Sequence, residues 1–140
     1  MFTLFLLASA LAQSPDIQVD LHLDTPTQML NKGLSLTSNT GLEGGLPQLK
    51  AGGSNVVVQV LWPPRKTDHK KRAQDLLAVV ERDIAQSEEL TLATEPEQAR
   101  SIVAEGKIAV LLSMEGAHGL GAGADWSDVF QQFYDRGLRL

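Results

Sequence analysis

Apolar residues recur along the chain with two periods, one typical of strands and the other typical of helices. Nearly continuous apolar runs at 55–62 and 107–114 predict parallel strands buried on both faces, and the alternating segment 18–23 predicts a third strand. A short strand at 90–93 also fits the pattern. Within residues 70–88, the apolar side chains form a helical stripe: Ala73, Leu76, Leu77, Val80 and Ile84. Strands that alternate with helices predict an α/β fold with a parallel sheet.

Two more helices are marked by their start and stop signals. The segment Thr94-Glu95-Pro96-Glu97 is a capping-box pattern with a proline in the first turn, and Gly106 marks the end of this helix. Its buried side is predicted to consist of Ala99, Ile102 and Val103. The last helix is predicted to begin at Asp125 and to end at Gly137. Its predicted core residues are Trp126, Val129, Phe130, Phe133 and Tyr134. The polar segment 34–45 predicts a long loop.

Charged side chains collect where two of the predicted strands end. Asp20, His22 and Asp24 occupy every second position, so in an extended strand they would share one face. The other face would be apolar: Val19, Leu21 and Leu23. Glu115 follows the strand 107–114, and the carboxyl ends of parallel strands, where α/β folds bind ligands, meet at one edge of the sheet. Imidazole and carboxylate groups are zinc-type ligands, which indicates a metal site. The alternative is a half-exposed strand whose polar side chains face solvent.

Four ordered sequence blocks carry a resemblance to a known family. They are residues 20–26 (DLHLDTP), 46–53 (LPQLKAGG, leading into the second strand), 115–118 (EGAH) and 133–140 (FYDRGLRL). With this order and spacing, the chain resembles the amino-terminal part of the membrane dipeptidases, also called renal dipeptidases, which are zinc metallopeptidases of the amidohydrolase group. One departure is Ala117, where the family usually has a second glycine.

The resemblance implies a (β/α)8 barrel of the TIM type. Such a barrel typically needs about 250 residues and rarely fewer than about 200, so a chain of 140 residues supplies about half of one. The pattern at 137–140 is that of a helix stop followed by the start of a strand, which favours truncation. We therefore interpret residues 13–140 as the amino-terminal half of a truncated barrel domain.

The resemblance also implies a two-zinc site and a mechanism. His22 and Asp24 would bind one zinc ion, Glu115 would bridge both ions, and histidines from downstream strands would complete the second site. A metal-bridging hydroxide would attack the peptide bond of a dipeptide, so Glu115 is the expected catalytic residue, and this stretch alone is expected to be inactive. Asp20 and His118 are expected to orient the ligands rather than to bind metal.

Two other functions stay open at this point. A metal-dependent hydrolase from another amidohydrolase branch would act on lactones or phosphoesters, but those branches typically carry His-x-His on the first strand, where this chain has Asp24. A non-enzymatic secreted binding module descended from the same half-barrel would keep only a remnant metal patch. Further histidines at downstream strand ends would distinguish an enzyme from such a module.

The first residues are typical of a secretory signal peptide. An apolar run at 2–11 is too short to span a bilayer, and it leads into the small-x-small pattern Ala10-Leu11-Ala12. No Lys or Arg precedes the run, and a buried first strand or helix is the alternative. We expect cleavage after Ala12 and an exported protein, secreted or periplasmic. The chain has no cysteine for lipid attachment, and no membrane anchor is evident.

Charge limits the classes of partner. The net charge of −5 argues against nucleic acid, since phosphate binding needs a basic surface. A basic cluster at 65–66 and 69–72 is either a solvated loop or an attractor for the carboxylate of a peptide substrate. His69, between Asp68 and Lys70, is expected to be a surface residue. A half-barrel with an open sheet edge is also expected to self-associate as a homo-oligomer.

Overall fold

Four parallel strands form one sheet in the order β1-β2-β4-β3. The computed structural model describes residues 16–38, 41–64, 67–121 and 123–140. The strands are β1 (Val19–Leu23), β2 (Val56–Leu61), β3 (Leu90–Leu92) and β4 (Ile108–Met114). Each lies where the apolar pattern predicts a strand, so the α/β class with a parallel sheet is confirmed.

Five helices and one short 3-10 turn accompany the sheet in the described ranges. The helices are α1 (Thr25–Lys32), α2 (Leu46–Gly52), α3 (His69–Gln86), α4 (Pro96–Ala104) and α5 (Trp126–Asp135), and the 3-10 turn is Ala117–Leu120. The predicted apolar stripe of α3 is confirmed. Four of its side chains are fully buried, namely Ala73, Leu76, Leu77 and Val80, and Ile84 packs against the same core. Asp68 caps the start of α3 by accepting a hydrogen bond from the backbone N–H of Lys71 at 3.1 Å.

Helices cover both faces of the sheet, which follows from the strand order. The connections from β1 to β2 and from β2 to β3 run in one direction across the sheet, whereas the connection from β3 to β4 runs back. Right-handed crossovers therefore place α4 on the opposite face from α3. One core packs β2 and β4, through Val57 and Val110, against Phe133 and the helices other than α4. The second core packs Val56 and Ala109 against α4.

Strand β1 lies at the edge of the sheet and leaves apolar side chains exposed. Val19 and Leu21 are 49% and 72% exposed, so the predicted apolar face of this strand is only partly covered. Ile17 and Val19 border a cavity of about 340 Å³ on the face that α4 also covers. Within the described residues no strand pairs with the outer edge of β1, and its backbone groups there are open to a further strand.

The helices α1 and α2 are not predicted by the sequence pattern. The dipeptide Thr25-Pro26 ends β1 as expected, but it also begins α1, because proline is favourable in the first turn of a helix. Pro47 has the same position in α2. Gly33 ends α1 in the left-handed conformation, with φ at 65°, which glycine adopts without steric cost.

Helix α5 buries fewer aromatic side chains than its pattern predicts. Val129 and Phe133 lie in the core, but Trp126, Phe130 and Tyr134 are 57%, 42% and 42% exposed. The prediction that these three are buried is therefore wrong. They recur at four-residue intervals on a stripe beside the one that contacts the sheet, and a single line of contact cannot cover both stripes.

The start of α4 uses a different capping residue from the predicted one. Gln98, rather than Glu97, reaches back to Thr94 and accepts hydrogen bonds from its backbone N–H and its hydroxyl group, each at 2.9 Å. The predicted capping box is therefore not formed as such, because the N-cap residue is Glu95 and its side chain accepts no capping hydrogen bond at this helix start. The predicted buried side of α4 is confirmed: Ala99, Ile102 and Val103.

Residues 138–140 extend along β4, as the predicted strand start after Gly137 requires. Leu138 pairs with Leu112, and the backbone N–H of Met114 donates to the carbonyl of Leu140 at 2.9 Å. They occupy the same edge of β4 that β3 pairs with further upstream.

The predicted signal peptide at 1–12 lies outside the described residues, so the division into a leader and a mature domain stays a prediction. In the part of the chain that the structure describes, no helix combines the length and the apolar character needed to cross a bilayer.

Candidate metal centre

Three potential metal ligands meet at the carboxyl edge of the sheet. His22 lies on β1, Asp24 is the residue at the start of α1, and Glu115 directly follows β4. Strand β2 lies between β1 and β4, and all three strands are parallel, so both ligand-bearing ends point to the same edge. The sheet therefore brings together residues that are more than 90 positions apart in the sequence.

The distances within this cluster suit one divalent ion. His22 Nε2 lies 3.4 Å from Glu115 Oε2 and 3.7 Å from Asp24 Oδ1, and one ligand atom from each residue lies within 4.8 Å of the others. Two ligands held tetrahedrally at about 2.1 Å from one ion lie about 3.4 Å apart. The three side chains are between 52% and 55% exposed, so an ion and a substrate could reach them from solvent.

An irregularity in β1 separates Asp20 from the cluster. Asp20 pairs with Val57 and Leu23 pairs with Gln59, so three steps along β1 match two steps along β2, which is the register of a β-bulge. The strict alternation that would place Asp20, His22 and Asp24 on one face is interrupted there. Asp20 instead accepts a hydrogen bond from the backbone N–H of His22 at 3.1 Å. The role of Asp20 in supporting the ligands stays a prediction.

The backbone on both sides of Glu115 is fixed by neighbouring contacts. The backbone N–H of Glu115 donates to the carbonyl of Leu61 at 3.1 Å, which continues the pairing of β4 with β2. Gly116 follows with φ at 87°, a conformation that residues with a side chain rarely adopt. A Cβ at this position would lie 2.3 Å from His118 Cε1, so the imidazole ring folds directly against the glycine backbone.

His118 and His69 lie beside this turn and contact each other. His118 Nε2 is 2.8 Å from the carbonyl oxygen of Pro63, and because a carbonyl only accepts, this ring nitrogen carries the hydrogen. The rings of His69 and His118 pack edge to face, with centroids 4.8 Å apart. His118 is not one of the three clustered residues, and its role in orienting the ligands stays a prediction. His69 is half-buried against His118, and the prediction of a simple surface residue is wrong.

A sequence model of the membrane dipeptidase family, peptidase family M19, matches residues 8–140. The chain belongs to the membrane dipeptidase family. The resemblance inferred from the four sequence blocks is thereby confirmed. A comparison with curated proteins found no match.

Solved structures of the same family share the fold of this family member. A metallopeptidase titled dipeptidase AC, of family M19, superposes with a TM-score of 0.72 at 21% identity, over 88% of this chain and 42% of its own. A metallopeptidase from Rhodobacter sphaeroides, solved with a phosphinate mimic of the dipeptide L-Ala-D-Ala, gives 0.71 at 21% identity, over 88% and 44%. The chain thus spans less than half the length of these dipeptidases and has part of their TIM-type barrel fold, as predicted.

Residues 70–72 of the basic cluster form ion pairs and hydrogen bonds with other side chains of this dipeptidase-family chain. Lys70 Nζ lies 2.9 Å from Asp125 Oδ2, and this hydrogen bond lowers the pKa of the Asp125 carboxyl group. Lys71 pairs with Asp75 one turn along α3, and Arg72 donates to the side chain of Asn31. Residues 70–72 thus have partners within the chain, and residues 65–66 lie outside the described ranges, so the choice between a solvated loop and an attractor for a substrate carboxylate stays open.

Trp62 is a residue at the same edge that the sequence analysis did not select. It directly follows β2, whose last residue, Leu61, pairs with Met114, so Trp62 and Glu115 are neighbours in register. Trp62 is 38% exposed. An aromatic residue directly after a buried strand and before Pro63-Pro64 is the signal that could have identified it.

Proposed function

We propose that this chain is the amino-terminal part of a zinc metallodipeptidase that hydrolyses the peptide bond of dipeptides. The observation that carries the proposal is the grouping of His22, Asp24 and Glu115 within 4.8 Å in a member of a dipeptidase family. The Rhodobacter structure contains a mimic of a dipeptide, and we extend that substrate class to this chain. Zinc is the ion we propose, because one imidazole and two carboxylates form a donor set that zinc uses in proteins.

Each residue at the edge of the sheet has a distinct part in this proposal. When bound, zinc supplies Lewis-acid polarisation of a substrate carbonyl and lowers the pKa of a water molecule toward neutrality. His22 and Asp24 would hold one ion, and their half-exposed side chains leave room for substrate. Glu115 would offset the charge of two ions, since its carboxylate has two oxygens. Asp20 would fix the backbone of His22, and His118 would support the turn that carries Glu115.

We further infer that these 140 residues have no dipeptidase activity by themselves. The solved dipeptidases are more than twice as long as the part that superposes, so most of their fold corresponds to nothing in this chain. The remaining ligands of a second ion would come from that part. From the apolar pattern of residues 1–12 alone, we also propose that the protein is exported.

The test uses a longer protein in which the rest of the barrel is present. We expect two zinc ions per chain by metal analysis and hydrolysis of unblocked dipeptides. Asp24→Ala should lose one ion and most of the turnover. Glu115→Gln should weaken zinc binding by more than about 100-fold, because residues that only support ligands already contribute about 10- to 100-fold. The matched control is Asp128→Asn, which removes an exposed carboxylate from α5.

Three results would contradict the proposal. If Glu115→Gln binds zinc and hydrolyses dipeptides like the parent, the metal centre has been assigned to the wrong residues. If the longer protein cleaves lactones or phosphoesters but leaves dipeptides intact, the reaction belongs to another amidohydrolase branch. A protein that neither binds zinc nor hydrolyses any of these compounds would support the binding-module alternative.

A further inference from the structure

Three segments meet beside the metal centre through two histidine rings. The loop after β2 contributes the carbonyl of Pro63, the turn after β4 contributes His118, and the first residue of α3 contributes His69. The ring of His118 donates a hydrogen bond to Pro63 at 2.8 Å and packs at 78° to the ring of His69, with centroids 4.8 Å apart. His118 is therefore held by its ring nitrogen and by its contact with a second ring.

We propose that His69 is a positioning residue for the metal centre. Its ring packs against His118 and holds that ring in place, and His118 connects the loop after β2 to the turn that carries Glu115. This inference rests on the proposed function, since it concerns the same site. Among the described residues, His69 makes no hydrogen bond or ion pair with any of the three ligands, so it would act through His118.

The packing of the turn explains how a contact with His118 reaches Glu115. Gly116, the residue after Glu115, has no Cβ, and the His118 ring fills the space where one would be. Gly119 is packed equally tightly, because a Cβ there would lie 2.7 Å from Met114 Sδ and 3.3 Å from Pro63 Cγ. The ring therefore lies directly against the backbone of the residue after Glu115, so a change in the position of the ring changes the packing of that backbone.

Residue His69 is suited to this task because α3 is firmly anchored. Ala73 and Leu76, in the first turns of the helix, are fully buried in the core, and Asp68 caps the helix start. The backbone of His69 is therefore held by the packing of α3 on the sheet and does not belong to a loop. An edge-to-face ring pair corresponds to about a two- to tenfold change in an equilibrium constant. We expect that factor to appear in metal affinity when the His69 ring is removed.

The experiment measures Co²⁺ binding to the full 140-residue chain. All variants carry Trp126→Phe, so that the remaining tryptophan, Trp62, reports on the metal centre through quenching of its fluorescence. His69→Ala and His69→Gln should each weaken Co²⁺ binding by about two- to tenfold. His69→Phe keeps a ring edge and should bind within about twofold of the parent. Lys71→Ala, an exposed residue on the same helix, should bind like the parent.

Far-UV circular dichroism and thermal unfolding show at which temperatures every variant is folded. The Co²⁺ affinities are compared only at those temperatures. If His69→Ala does not fold, His69→Gln, which is closer in size, decides the question. The inference is overturned if the alanine and glutamine variants bind Co²⁺ like the parent, or if His69→Phe is as weak as they are. His22→Ala tests the site itself, since unchanged Co²⁺ affinity in that variant would remove the proposed metal centre whatever the His69 variants do.

Discussion

Gly116→Ala should destabilise the chain by more than its backbone conformation alone explains. With φ at 87° and ψ at 117°, outside the left-handed helical region, an alanine costs about 1–3 kcal/mol in backbone strain. The new Cβ would also lie 2.3 Å from His118 Cε1 and 2.5 Å from Nδ1, so the ring must leave its place. Its hydrogen bond to Pro63 is worth about 1 kcal/mol, and its packing on His69 about 0.5–1.5 kcal/mol. The expected loss in the free energy of unfolding is about 2.5–5.5 kcal/mol.

Two other glycines separate these contributions. Gly106 has φ at 78° and no atom within 4 Å of an added Cβ, so Gly106→Ala should show the backbone strain alone, about 1–2 kcal/mol. Gly52, at the end of α2, has open space and an ordinary φ, so Gly52→Ala should be neutral or slightly stabilising. Urea denaturation followed by far-UV circular dichroism gives the free energy for each variant, provided that the m-values agree.

The order of the three losses is the decisive result. We expect Gly52→Ala to be the smallest, Gly106→Ala intermediate and Gly116→Ala the largest. Equal losses for Gly116→Ala and Gly106→Ala would mean that the His118 ring yields without cost, and the reasoning about the turn after β4 would fail.

Three further predictions test other parts of the molecule. Phe133→Ala should lower the free energy of unfolding by about 3–5 kcal/mol in urea, because the ring is buried in the main core. The lowered pKa of Asp125 stabilises the fold at pH above its ordinary value of 3.8, and this contribution is lost as the pH falls through the lowered value; in an NMR titration of Lys70→Ala, the pKa should return toward 3.8. Mass spectrometry of exported protein should find Gln13 as the first residue, and an intact Met1 would contradict the predicted leader.

The strands and α3 could be predicted from the sequence because burial determines their patterns directly. Both faces of β2 are covered by helices, and every residue from Val56 to Leu61 is buried. The apolar stripe on α3 is also buried, because it faces the sheet along the length of the helix. The starts of α1 and α2 were missed because Pro26 and Pro47 are compatible with both a strand stop and a helix start.

The errors on α5 and His69 share one physical cause. Local periodicity shows which side chains lie on the same side of a helix, but not which neighbour covers that side. Phe130 and Phe133 have the same residue type and belong to the same helix, yet only Phe133 reaches the sheet. His69 stands between two charged residues, and its ring is nonetheless turned toward His118, whose position depends on the pairing of β4.

The candidate site was predictable in its residue types and in its place at the sheet edge. Parallel strands and their carboxyl ends follow from the apolar runs, so the meeting of His22 with Glu115 follows as well. The β-bulge after Asp20 could not be predicted, because its cause lies in the pairing of β1 with β2. The tight fit of Gly116 against His118 is likewise a property of the folded turn alone.

The central position of β4 has a consequence for the order of folding during synthesis. This strand pairs with both β2 and β3, although it leaves the ribosome after either of them. Val56 pairs with Ala109, so the partner of β2 emerges about 50 residues later, or roughly 3–10 s later at a translation rate of about 5–20 residues per second. During that interval the edge of β2 that pairs with β4 has no partner strand, and β3, which follows β2 in the sequence, also lacks its partner until β4 is synthesised. The nascent chain thus has two apolar strand edges that a chaperone, or a neighbouring nascent chain, could bind first.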